Sequence, residues 1–221
     1  MKLKFYAIPA AIVAVCLVFA VIVRFSYTDG GAKVYDYAYT SDGVLSDMLK
    51  GNKITAPDDI ISQAELIAEA KYTGNRKITG SAFYSQVNVT RVFKGDKTLV
   101  GKEICVIEPV STFTKTKFVN GAGRFLIPLQ KGENYLLLLK HKKFDPRRTL
   151  DDFQQSQYYP VTQGAFGCYR LFAKNQTELM DSNKTYTINS LKGFDIFTGD
   201  RKTLNTYYKY KSRIFQCLGI G

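Results

Sequence analysis

A single histidine, no tryptophan and four cysteines without one Cys-x-x-Cys pair stand in a chain of 221 residues. These shortages exclude several chemistries. A zinc site of two or three histidines cannot be built within one chain, and the cysteine spacing offers neither a zinc knuckle nor a thioredoxin-type pair. A Ser-His-Asp or Cys-His arrangement would have to use His141, in the stretch LLLLKHKKFD. Lys140, Lys142 and Lys143 oppose an imidazolium there, and His141 reads as a solvated residue at a strand end. Gly-x-Ser-x-Gly, His-Glu-x-x-His, Gly-x-Gly-x-x-Gly and the phosphate-binding Gly-Lys-Thr loop are all missing. No cofactor is implied. An enzymatic reading would have to rest on carboxylates such as Asp145, Asp151 and Asp152. Neighbours in sequence need not face one another, so the chain reads as non-enzymatic.

Acidic residues are also short: 19 against 31 Lys and Arg, a formal charge of +12. Such a surface attracts polyanions, whether anionic lipid, cell-wall phosphate polymer or nucleic acid. The cations are spread along the chain, and no block of five or six marks a nucleic-acid arm, so nucleic acid is the least favoured partner. Nothing in the sequence speaks to oligomeric state.

Long apolar runs are scarce, with one exception. Residues 5–23, FYAIPAAIVAVCLVFAVIV, carry no charge. As a helix they are long enough to cross ~30 Å of hydrocarbon. Lys2 and Lys4 precede the run, which favours a cytoplasmic N-terminus and an exported remainder. The alternative is secretion after signal cleavage near Val18-Phe19-Ala20, although the apolar run continues through Val23. The expected organisation is an anchor or uncleaved signal over 1–25, a stalk over 26–56 with one short helix near Val44–Leu49, and an exported domain over 57–221.

Tyr and Phe are abundant at 15 each, and with many Val, Ile and Thr they favour strands. Pro57-Asp58-Asp59 opens a short helix to about Gln63. Strands are expected over 64–74, which is helix-ambiguous, and over 81–93, 103–108 and 135–140, with a strand pair over 158–172. Lys94-Gly95-Asp96 reads as a turn, which makes the hairpin-like unit 87–109 scaffold. YLLLLK reads as a strand buried on both faces. From Asp200 a 3.6-residue spacing of Leu204, Tyr207, Tyr208, Lys211, Ile214 and Phe215 predicts a terminal helix packed on the sheet. Cys105 and Cys168 lie in apolar strand-like runs. They are the candidate disulfide pair, with small buried hydrophobes as the alternative.

The order of these stretches, above all VFKGD…GKEI and GENYLLLLK, resembles small exported barrels of bacterial surface proteins. Those are distantly similar to the netrin-like domain and to tissue inhibitors of metalloproteinases. The resemblance covers roughly 58–172. It implies a mainly β fold, a five-stranded OB-like barrel with flanking short helices behind one N-terminal transmembrane helix. The inhibitors place a processed N-terminal cysteine amine on a protease zinc. No Cys opens this domain, so that mechanism is not carried over.

Two loops, 111–126 and 140–158, hold the candidate ligand-binding residues Lys115, Lys117, Arg124, Lys142, Lys143, Arg147 and Arg148. The expected function is a membrane-tethered extracytoplasmic binding module that contacts an anionic surface polymer or lipid. The alternative is an inhibitor or interaction partner of an exported enzyme.

Overall fold

The structure, a computed structural model, describes residues 13, 15–18, 33–41 and 43–220. Most of the run 5–23 and part of the stalk therefore lie outside the described residues. No helix among those described is long and apolar enough to cross a membrane.

The body is mainly β. Five strands close into a barrel: β2 (Leu66–Ile78), β3 (Phe83–Lys94), β4 (Glu103–Glu108), β7 (Asn134–His141) and β8 (Gln157–Pro160). Their order is β2-β3-β4-β8-β7, and an antiparallel β2–β7 pairing returns to the start. Every pairing in the ring is antiparallel except β4 with β8. A sixth strand, β9 (Cys168–Arg170), adds to the free half of β7.

Period-two alternation decides which side chains enter the barrel. Leu66, Ala68, Ala70 and Tyr72 of β2 point inward, to meet Val87, Val89, Ile104, Val106, Leu137 and Leu139. Alanines at 68 and 70 suit the narrow interior of a five-stranded ring. Residues of the opposite phase, Ile67, Leu136 and Leu138, pack outward against helices. This is why Tyr135–Leu139 form an uninterrupted apolar run: both faces of β7 are covered. The Lys94-Gly95-Asp96 turn forms as expected. Gly95 has φ 99°, and a Cβ there would lie 2.7 Å from the Glu65 carbonyl oxygen, so only glycine fits.

Two short helices, α1 (Leu45–Gly51) and α2 (Pro57–Gln63), precede β2. A four-residue turn, α3 (Asp152–Gln155), precedes β8, and a long helix, α4 (Arg201–Leu218), closes the chain. Leu204, Tyr207, Tyr210 and Ile214 of α4 form one face of the outer core, with Ile60 of α2, Tyr169 of β9 and Phe166 in the turn before it. Phe166 meets Tyr207 and Tyr210 edge-on at 5.5 and 5.4 Å.

A second, smaller sheet changes the expected organisation. It contains β1 (Ala38–Thr40), β5 (Ser111–Phe113), β6 (Phe118–Asn120) and β10 (Tyr186–Thr187), in the order β10-β1-β6-β5. The described part of the segment read as a stalk is therefore packed structure. Val34 and Tyr39 are 1% and 3% exposed, and α1 contributes Met48 to the outer core. The folded body begins before residue 57, because β1 finds its partners in β6 and β10, far away in sequence. The segment 111–126, read as one long loop, contains the β5–β6 hairpin.

The candidate Cys105–Cys168 disulfide is not formed; the alternative holds, and both are buried free thiols. Alternation gives the reason. Ile104 and Val106 face the barrel interior, where Cys168 also packs. Cys105, between them on β4, points to the opposite face.

Candidate functional site

The connections at one end of the barrel build a groove of about 350 Å³. On one side lies the β2–β3 connection. Lys77 and Tyr84 are cross-strand partners, and a tight turn joins them. In that turn the Thr79 amide and hydroxyl both donate to the Ala82 carbonyl, at 3.0 and 2.8 Å. On the other side lies the β7–β8 connection, 142–156. It is pinned at its start by the Lys142 amide, which donates to the Gln157 carbonyl at 2.9 Å. Near its end Asp151 caps α3, accepting from the Gln154 amide at 2.7 Å.

The two sides meet through aromatic rings. Phe153 is tilted against Tyr84 with centroids 6.1 Å apart. The Lys142 ammonium sits 4.8 Å from the Phe144 ring centroid and 5.9 Å from that of Tyr84. It also donates to Gln157 Oε1 at 2.9 Å, which fixes its position. Phe153 remains 37% exposed, an apolar face left open to solvent. Lys77, Lys142 and Arg148 line this groove with a single carboxylate, Asp151. The local field is positive, and Asp151 is already engaged by a backbone amide. The groove can therefore hold an anionic group beside a flat or apolar one.

Of the seven cations singled out in the sequence, Lys142 and Arg148 reach this groove. Lys143 is exposed next to it in sequence. Arg147 is turned onto Asp145 at 3.0 Å, with both side chains largely in water. This bond holds the Asp145 carboxyl below the usual carboxylate range. Lys115 and Lys117 are exposed in the β5–β6 turn. Arg124 lines a separate cleft with Asp47, Asn52 and Gln163, its side chain donating to Gln163. The two expected loops therefore do not pool their cations in one groove. Lys77, Tyr84, Phe144 and Phe153 were missed. Phe144 and Phe153 stand among basic residues within 140–158, which was a readable signal. Lys77 and Tyr84 sit on strand ends, and only the barrel's closure brings them to the same place.

His141 is structural. Its Nε2 lies 2.6 Å from the Gln155 carbonyl oxygen, which can only accept, so Nε2 carries the proton. Its ring meets Tyr158 edge-on at 4.9 Å. Among the described residues no group of three metal-ligating side chains occurs. Asp145 and Asp151 are each committed to the local contacts given above, and Asp152 is exposed on the first turn of α3.

A search with protein-family models found none that matches the chain, and a search of curated proteins returned no match.

Proposed function

We propose that this chain is a membrane-tethered, extracytoplasmic binding module with no catalytic activity, and that its groove takes an anionic surface polymer. One observation carries the reading. The cations and three rings, Phe153 exposed and Tyr84 and Phe144 half-buried, gather between the connection of the first two barrel strands and the connection of the last two. The ring order, with its one parallel pairing between the third and fifth strands, is read here as an OB-type barrel. In OB-folds those same two connections, with the second and third strands, form the surface for oligonucleotides and oligosaccharides.

The ligand chemistry follows from the side chains. Rings such as Phe153 and Phe144 offer flat apolar faces for sugar C–H groups. Lys77, Lys142 and Arg148 offer charge for a carboxylate or phosphate on the same repeat. The three cations make salt dependence the signature, because ions screen contacts made at the surface over about 10 Å at 0.1 M salt. An acidic polysaccharide should be retained by the full chain in nanodiscs of neutral lipid at low salt and released as salt rises. A neutral polysaccharide of the same length should not be retained. Lys77→Glu with Arg148→Glu should abolish retention. Retention unchanged by both substitutions removes the proposal, and binding confined to anionic vesicles redirects it to lipid. The tether is tested separately: protease added outside intact cells should cut residues 57–221 and spare the N-terminus.

A further inference from the structure

The barrel carries a second recess, and we infer that it is a binding site for a small organic anion with a flat apolar body. The recess lies where β2 leaves the barrel, between that strand and the small sheet. Tyr72 and Arg76 line its floor, Tyr35 and Ile188 one wall, and Lys131 and Lys192 its rim. Its volume is about 760 Å³, within the ~300–1,000 Å³ usual for small-molecule sites.

The strongest mark is Tyr72. The residue is 3% exposed, and its hydroxyl makes no hydrogen bond within 3.5 Å among the described residues, although the Tyr35 hydroxyl is near enough to act on it. A buried hydroxyl left without a partner costs the fold free energy. This one lies in the lining of the recess, where a ligand acceptor would satisfy it.

Two guanidinium groups are held in place behind it. Arg76 donates to Glu108 at 2.9 Å, to the Leu129 carbonyl at 2.7 Å and to Ser85 at 2.7 Å. It also stacks over the Tyr72 ring at 4.8 Å. Its remaining nitrogen, Nη1, makes one long contact, 3.4 Å to the Tyr35 hydroxyl. Arg170 is fixed through Nε to Asp195 at 3.0 Å and through Nη2 to the Gly193 carbonyl at 2.7 Å. Glu108 and Asp195 balance the two arginines, so the local excess comes from Lys131 and Lys192 against Glu133. That small surplus suits a ligand of one or two negative charges and not a polymer. The half-buried Tyr35, with the uncovered edges of Tyr72, Leu129 and Ile188, supplies the apolar surface for its body.

The recess shares none of its lining with the groove proposed for the polymer, so the two ideas can fail separately. The test is calorimetric titration of the full chain in nanodiscs with 2-naphthoate, 2-naphthyl phosphate and the uncharged 2-naphthalenemethanol. Both anions should bind, and the alcohol should bind at least tenfold more weakly. The phosphate outranking the carboxylate, or the reverse, assigns the anionic group. Tyr72→Phe removes only the hydroxyl and should weaken the anions about tenfold. Lys131→Glu with Lys192→Glu should abolish their binding while retention of the acidic polysaccharide persists. No binding of either anion, equal binding of the alcohol, or affinity unchanged in Tyr72→Phe overturns the inference.

Discussion

Two arginine–carboxylate pairs separate by burial. In Arg76–Glu108 the side chains are 1% and 0% exposed, whereas in Arg147–Asp145 they are 90% and 51% exposed. Glu108 ties three places together: it accepts from Arg76 of β2, from Ser85 of β3 and from the Leu129 amide. Glu108→Ala leaves the Arg76 charge buried and unpaired, and should lower the free energy of urea unfolding by about 3–5 kcal/mol. Arg147→Ala should leave the urea midpoint unchanged. The thiols make a second contrast. Burial, with Glu108 nearby, pushes Cys105 up to about 12, and burial pushes Cys168 higher still. Cys217 is exposed. Maleimide at pH 8 should label Cys217 in the native protein and reach Cys105 and Cys168 only in denaturant, as read by peptide mass spectrometry. Labelling of Cys105 before unfolding would contradict this. The sequence showed both thiols in apolar strands. It could not show that they point to opposite faces, because the phase of each strand is set by its neighbours.

At the scale of elements, α4 was legible because its period is local. Leu204, Tyr207, Lys211 and Ile214, all named from spacing, are all buried. Lys211, the one charged member of that face, is 7% exposed and lies 5.7 Å from the Tyr208 ring and 5.6 Å from the Phe215 ring. Burial lowers its pKa. Asp200 caps this helix, accepting from the Thr203 amide at 2.8 Å and the Thr203 hydroxyl at 2.6 Å. Asp59, in the first turn of α2, reaches back to the residues before the helix, accepting from the Thr55 amide and hydroxyl at 2.7 and 2.6 Å. The hydrogen bonds hold both carboxyls below their ordinary value in the folded chain. The unfolded chain therefore binds more protons in the window between the two values, and stability there rises with pH. Stability should be fully present above about pH 4 and fall as pH drops through the lower folded values. Asp200→Asn should flatten that acid limb in a series of thermal melts, while Asp200→Ala should also lower the melting temperature at pH 7. Strands β2, β3, β4 and β7 were legible for the same local reason, since each is at least six residues long and carries an alternating stretch or an apolar run of four or five. Strands β1, β5 and β6 were not: each is three residues long, and β1 exists only through distant pairing. Within β7, Leu137 is 0% exposed in the barrel interior. Leu137→Ala should cost about 2–5 kcal/mol, measured by urea unfolding.

Over the whole molecule, a closed barrel removes the edges that an open sheet would expose and leaves its connections free to carry contacts. A formal charge of +12 draws polyanions to the surface generally, but only gathered cations can hold one in register. The β2–β3 and β7–β8 connections gather three of them beside the exposed Phe153 ring. The loops chosen from the sequence shared charge but not location. The direct measurement is amide resonance mapping of the isotopically labelled full chain during titration with an acidic oligosaccharide. Binding in the groove should give shifts concentrated in 77–84 and 142–157, saturating together and reversed by salt. Shifts centred on 115–124, or spread evenly over the surface, would contradict it.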